Sequence, residues 1–243
     1  MNQIAPATLP GPVVYPDSDG MPMAENTKQL RWIVVLYGNL AALFRDAGDV
    51  FVAADLLWYP VEGHPEVRVA PDVLLAFGRP KGDRGSYKQW EEGDVPPTVV
   101  FEVLSPGNTF PEMADKLAFY EEHGVEEYYV YDPDTDHLLV YVRQGEALRR
   151  VRPVAGFVSP RLRIRFDTSG SELVVFGPDG RRFLTFEELE AERVHEHERR
   201  LAAERRAGQA EQRAARLAEL SRKARRNQAS VEELAELERL EEQ

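Results

Sequence analysis

Two periods of apolar and polar positions succeed one another along this chain, and they divide it into elements. From Ala24 to Phe44 apolar residues recur at helical spacing, which predicts a first helix with Leu30, Ile33, Val34 and Leu40 on its inner side. Runs rich in β-branched and aromatic residues follow near Val50 to Tyr59 and Glu66 to Phe77, and they predict two strands joined by a short Glu-Gly-His-Pro connection. Residues 81–97 are polar and contain Gly, Trp90 and Pro, a loop long enough to be a flap over a site. Thr98 to Leu104 then reads as a strand buried on both faces. A helix should begin at Thr109, because its hydroxyl and Glu112 three residues on make a capping-box signature. Met113, Leu117 and Tyr120 form its buried stripe, and His123 with Gly124 should end it. Glu127 to Tyr131 and His137 to Arg143 predict a hairpin about Asp132-Pro133-Asp134-Thr135, with later short strands extending the sheet. The sum is an α/β domain with a mixed central sheet flanked by helices.

The pattern changes abruptly after Phe186. Residues 187–226 are dominated by Glu, Arg and Ala with sparse apolar points (Leu189, Val194, Leu201, Leu217, Leu220), the composition of a long exposed helix laced with opposite charges. Asn227-Gln228-Ala229 interrupts it, and Ser230 with Glu233 starts a shorter helix bearing Val231, Leu234, Leu237 and Leu240. The expected organisation is an extended, Pro- and Gly-rich segment 1–23, a globular domain 24–186, and a charged helical extension 187–243. The extension suits a coiled coil, a helical hairpin or homo-oligomer assembly through these helices, although its spacing sustains no strict heptad.

Against this pattern Glu102 stands out, a single charge within Thr-Val-Val-Phe-Glu-Val-Leu. A carboxylate removed from water costs several kcal/mol unless it is paired or holds a metal. Asp72 is the second acid of interest, because Pro71 before it cannot donate to a sheet ladder and marks a strand start or bulge where a side chain is re-aimed. Lys116, on the margin of the helix stripe, has a stem long enough to bring an ammonium back over the sheet's end. The competing structural reading pairs Lys116 with Glu102 in a salt bridge and lets Asp72 cap a turn. Asp55 suits an exposed strand position better than support of the site. The five histidines, His64, His123, His137, His195 and His197, lie in turns, at helix ends or on the charged helix and are not read as metal ligands. Tyr128, Tyr129 and Tyr131 are read as sheet packing rather than a base-stacking platform.

Composition narrows the chemistry. The chain has 243 residues and 43% hydrophobic content, enough for one good core. It has no cysteine, which excludes disulfides, thiolate metal sites and cysteine nucleophiles. No basic segment followed by an apolar core opens the chain and no apolar run approaches membrane-spanning length, so a cytoplasmic protein with no membrane partner is expected. The formal charge of -12 opposes broad, sequence-independent attraction to nucleic acid. Locally the balance reverses: Arg149, Arg150, Arg152, Arg161, Arg163 and Arg165 stand between Glu146 and Asp167 with no acid, and Arg79, Lys81, Arg84 and Lys88 follow Asp72 with only Asp83. Such runs are phosphate contacts or, more often, solvated strand faces.

Val69-Ala70-Pro71-Asp72-Val73, Phe101-Glu102-Val103-Leu104-Ser105-Pro106-Gly107-Asn108, Asp115-Lys116-Leu117-Ala118-Phe119-Tyr120, Gly124-Val125-Glu126-Glu127-Tyr128 and Asp132-Pro133 occur in this order. Together they resemble the Uma2 family of restriction-endonuclease-like proteins, which belongs to the PD-(D/E)XK nuclease superfamily, over roughly residues 25–170. The resemblance implies a restriction-endonuclease-like fold and a Mg²⁺- or Mn²⁺-dependent endonuclease that hydrolyses phosphodiester bonds in nucleic acid, DNA before RNA. It implies Asp72 and Glu102 as metal ligands and Asp72, Glu102 and Lys116 as the catalytic set. Leu104 stands where the wider superfamily carries lysine, and the helix residue Lys116 is the implied substitute. Glu25 is the acid available for a weaker fourth ligand. The alternative is a catalytically silent nuclease fold serving binding or assembly through the charged tail.

Overall fold

The computed structural model describes residues 13–241; residues 1–12 of the expected extended segment lie outside them. Helix α1 spans Thr27–Leu43, starting at Asn26, whose side chain accepts hydrogen bonds from the N–H groups of Lys28 and Gln29. Its buried face is Gln29, Trp32, Ile33, Val35, Leu36 and Leu40, whereas Leu30 and Val34, expected inside, are exposed. From Trp32 to Leu43 no residue is charged and only Asn39 is distinctly polar, so the spacing could not select a face.

The strands are β1 (Val50–Ala54), β2 (Trp58–Tyr59), β3 (Val73–Phe77), β4 (Tyr87–Lys88) and β5 (Val99–Val103). Helix α2 (Phe110–Glu122) then leads to β6 (Glu127–Asp132), β7 (His137–Gln144), β8 (Ala147–Arg150), β9 (Arg165–Asp167) and β10 (Val174–Phe176). Six strands make the main sheet in the order β1-β3-β5-β6-β7-β8. Only β5 and β6 are parallel, with α2 as the connection between them, and the other neighbours are antiparallel.

Three expectations are corrected. The first long strand stops at Asp55, whose φ of 49° turns the chain into the left-handed region. Trp58 and Tyr59 then pair in parallel with Tyr87 and Lys88 in a separate two-stranded sheet. The second strand begins at Val73 rather than Glu66, leaving before it only a bridge between Val69 and Trp58. Of the later strands β8 extends the main sheet, while β9 and β10 pair with each other.

Both faces of the sheet are covered, which explains the nearly unbroken apolar runs of β3 and β5. On one face Val73, Leu75, Val99, Phe101 and Val103 pack with Ile33, Leu36 and Leu40 of α1. On the other, Leu74 and Val100 pack with Tyr120 of α2, Tyr128 and Trp58. Tyr128, Tyr129 and Tyr131 are buried in these layers as sheet packing. Strand alternation sets Glu102 on the α2 face, beside Val100 rather than Phe101.

The chain divides into two compact units, Met1–Thr185 and Phe186–Gln243. The second comprises α3 (Phe186–Arg225) and α4 (Val231–Glu241), with Asn227 at φ 53° in the turn between them. Arg216 bonds Glu236 and Lys223 bonds Glu233 across this helical pair. Among the described residues no helix is long and apolar enough to cross a membrane.

Candidate active site

The expected capping box forms: Thr109 Oγ1 accepts from the Glu112 N–H, and the Glu112 carboxylate accepts from the Thr109 N–H. His123 caps the other end of α2, and Gly124 turns away at φ 91°, a conformation suited to glycine. The helix is thereby held with Lys116 and Tyr120, one turn apart, facing the sheet. Lys116 Nζ donates to Glu102 Oε2 at 2.8 Å, and the Tyr120 hydroxyl donates to Oε1 at 2.5 Å. Glu102 is only 3% exposed, so these two donors answer the cost of burying its charge.

Asp72 arrives from the neighbouring strand. The antiparallel register pairs Val73 with Phe101, and one further step sets Asp72 opposite Glu102 on the same face. Asp72 Oδ2 accepts the Val103 N–H at 2.6 Å, while its Oδ1 has no hydrogen-bond donor among the described residues. Burial and the facing Glu102 push the Asp72 carboxyl up to about 8, against the opposing pull of the Val103 N–H and Lys116. For Lys116, burial favours the neutral amine, but Glu102, Asp72 and Glu112 outweigh it and raise the ammonium's pKa above its ordinary value. Lys116 therefore stays charged across physiological pH.

Asp72 and Lys116 line a cleft of about 340 Å³ together with Asp19, Glu25, Asp55 and Glu112, while Glu102 lies behind its wall. Five carboxyl groups and one ammonium make this cleft strongly acidic. Asp55, expected on an exposed strand position, is exposed just past β1 and also lines the cleft; partial burial and Asp19 raise its pKa. Glu25 precedes α1 and accepts the Ser105 hydroxyl at 2.5 Å, lying so close to Gly107 that a Cβ there would collide with its carboxylate.

The loop 81–97 contributes nothing to this lining; the segment from Asp19 to Glu25 takes the place expected of the flap. The loop's cations serve the fold instead. Arg79 and Arg84 bind the nearly buried Glu92, Lys81 donates to the carbonyls of Phe44 and Arg45, and Lys88 pairs with Glu91. Arg161 of the later run forms a two-bonded pair with Glu126, and Arg165 pairs with Asp167. The sequence reading missed Tyr120 as a partner of Glu102, since its spacing marked it only as core. It also missed Gln29, a buried polar residue that donates to the Val103 carbonyl and accepts the Glu25 N–H, tying α1 to the end of β5.

Comparison with known proteins identifies the family. A family model described as "Putative restriction endonuclease", Uma2, matches residues 18–167. The chain belongs to the Uma2 family. No curated protein matches the sequence. Among solved structures, the Uma2 chain is similar to "a putative nuclease belonging to DUF820" from Anabaena variabilis, at 14% identity and a TM-score of 0.42, over 56% of this chain and 73% of that one.

Among the described residues no three His, Asp or Glu side chains form a ready-made metal cage. The donors present nevertheless suit a hard divalent cation that keeps most of its waters. Asp72 has an oxygen without a donor among the described residues and a carboxyl that its surroundings keep from ionising, which a cation would reverse, and each Glu102 oxygen keeps a second lone pair beyond its one hydrogen bond.

Proposed function

We propose that this Uma2 protein is a divalent-cation-dependent endonuclease that hydrolyses phosphodiester bonds in DNA, with Asp72, Glu102 and Lys116 as its catalytic set. One observation carries this reading. A structural ion pair needs one acid for one base, yet a second acid, Asp72, faces the Lys116–Glu102 pair in the cleft wall and is held there against its own tendency to ionise. Families of restriction-endonuclease type generally work with such a cation, and Asp72 and Glu102 are the residues that would hold Mg²⁺ or Mn²⁺. Bound there, the ion would supply Lewis-acid polarisation of a phosphate oxygen and a more acidic water. Lys116, fixed by Glu102 and permanently charged, binds a non-bridging phosphate oxygen and offsets the negative charge that grows during attack; its raised pKa makes it a charge stabiliser and not a general base. Tyr120 and the Val103 N–H hold the two carboxylates in place. The acidity of the cleft agrees with a cation requirement, because a phosphate backbone would otherwise meet mostly carboxylates. A cytoplasmic location accords with such a substrate.

One observation favours the silent alternative, since both Glu102 oxygens already have donors. The two readings separate when purified protein is incubated with Mg²⁺ or Mn²⁺ on supercoiled, linear and single-stranded DNA and on RNA, beside Asp72→Ala, Glu102→Ala and Lys116→Ala. The nuclease reading expects cation-dependent DNA cleavage lost in each variant. Cleavage surviving all three substitutions, or calorimetry showing that neither ion binds, would overturn it.

A further inference from the structure

The segment that walls the cleft is fastened at both ends and free between them. At the α1 end, Glu25 gives its N–H to Gln29 and accepts the Ser105 hydroxyl, and Asn26 caps the helix. At the other end the half-buried Tyr15 ring packs against Tyr59 and Trp90, with centroids 5.2 and 5.0 Å apart, under the Lys88 ammonium, and its hydroxyl accepts the Gly63 N–H. The Pro16 carbonyl accepts the Tyr59 hydroxyl at 2.6 Å. Asp17 accepts the Ser86 hydroxyl and lies so close to Gly85 that a Cβ there would collide with its carboxylate. The polar loop 81–97 is thus the catch for this segment. From Ser18 to Ala24 the hydrogen bonds among the described residues stay inside the segment, from the Gly20 N–H to Ser18 and from the Met21 N–H to Asp19. These residues have no regular secondary structure, all but Ala24 are exposed, and Gly20 takes a φ of 81° that glycine adopts freely.

We propose that residues 17–24 are a strap, closed in this structure, that releases at the Tyr15 catch and swings out about its α1 end to admit a nucleic-acid strand. A strand cleaved in its interior carries nucleotides on both sides of the phosphate that meets Lys116, so the cleft must open along its length. Closed, the strap makes one wall of that cleft, sets the Asp19 carboxylate where it repels a phosphate backbone, and leaves the Lys116 side chain only 21% exposed. Opening takes Asp19 away while Glu25 stays bound to Ser105. The release falls at the Tyr15 end because the α1 end is tied through the buried Gln29 to the Val103 carbonyl, whereas Val13 and Val14 beyond the catch are exposed and hold nothing in place. Segments with few buried contacts are those that open locally at least cost. The identity of what enters rests on the proposed function; the opening rests on the strap's own attachments.

The test is acylation of lysines in the full chain by acetic anhydride, read residue by residue by mass spectrometry, with Lys223 of the helical tail as internal reference. Tyr15→Ala removes the ring pairs and the acceptor of the Gly63 N–H, which together shift the closed-to-open ratio by about tenfold. Lys116 should then react about tenfold faster than in the wild type, with Lys223 and the circular dichroism unchanged. The opposite arm locks the strap. The chain has no cysteine and Gly85 lies outside the left-handed region, so Asp17→Cys with Gly85→Cys places a single disulfide at the catch. Oxidised, this variant should acylate Lys116 more slowly than the wild type and cleave supercoiled DNA with Mg²⁺ about tenfold more slowly than after reduction. Equal Lys116 rates in the wild type and Tyr15→Ala, or a double variant that behaves alike oxidised and reduced, would overturn the inference. A wild type inert on DNA overturns the proposed function instead, and the acylation rates still decide the strap.

Discussion

Replacing Asp72 with Asn removes a charge while keeping a side-chain oxygen for the Val103 N–H. In the folded wild type this carboxyl holds its proton up to about pH 8, against an ordinary value of 3.8. Between these values the native state binds a proton that the unfolded chain has released, so stability falls as pH rises. The contribution is complete below the unfolded value and is lost as pH passes the folded one. At about 1.4 kcal/mol per pH unit, the interval caps the effect near 6 kcal/mol; solvent reaching Asp72 through the cleft reduces it to about 3 kcal/mol. Asn titrates nowhere in this range. Urea unfolding followed by tryptophan fluorescence, with Trp32 and Trp58 buried as reporters, should show Asp72→Asn gaining on the wild type by about 2 kcal/mol from about pH 5 to about pH 9, the part of the interval that lies above pH 5. Under the proposed function Mg²⁺ should narrow that gap at the upper end, since it stabilises only the carboxylate form, by about 1.4 kcal/mol at ten times its dissociation constant. A gap independent of pH would refute the assignment of Asp72 as a buried, proton-holding acid. Equal stabilisation of both proteins by Mg²⁺ would refute its role as a ligand.

Tyr120→Phe leaves Glu102 Oε1 buried without its donor and should cost about 1–3 kcal/mol in urea unfolding; unchanged stability would mean that this oxygen is served in another way. Thr109→Ala removes one side of the capping box of the helix that carries Lys116 and should cost about 1 kcal/mol. The same protein assayed on DNA should lose activity modestly, far less than Lys116→Ala, because the helix loosens while the ammonium remains.

The elements legible in the sequence rest on short-range signals. Thr109 and Glu112, His123 and Gly124, and the interruption at Asn227 act over a few residues, so their physics is written in adjacent positions. The misreadings have tertiary causes. The spacing puts Leu30 and Val34 inside together with Ile33 and Leu40 because α1 is apolar around most of its circumference, and only packing against β1, β3 and β5 separates the buried Ile33, Leu36 and Leu40 from the exposed Leu30 and Val34. The cations after Asp72 read in sequence as phosphate contacts or, more often, as a solvated face, and neither reading names their partners: Glu92 holds Arg79 and Arg84, and the backbone carbonyls of Phe44 and Arg45 hold Lys81. Glu127, predicted only as a strand residue, is buried and accepts from the Tyr129 and Ser159 hydroxyls and the Arg161 N–H, partners separated in sequence by up to 34 residues.

By itself the sequence determined that Glu102 is a charge in an apolar strand, that Lys116 rides a capped helix, and that a charged helical tail follows an α/β domain. These follow from local spacing and from the cost of dehydrating a charge. Tertiary structure decided which groups answer that charge. The β3–β5 register sets Asp72 opposite Glu102, the α2 packing brings Lys116 and Tyr120 onto its two oxygens, and the segment from Asp19 to Glu25, rather than the polar loop, forms the cleft wall. Strand register and helix docking arise from burying surface shared by distant segments, so the facing of Asp72 and Glu102 appears only when the whole core closes.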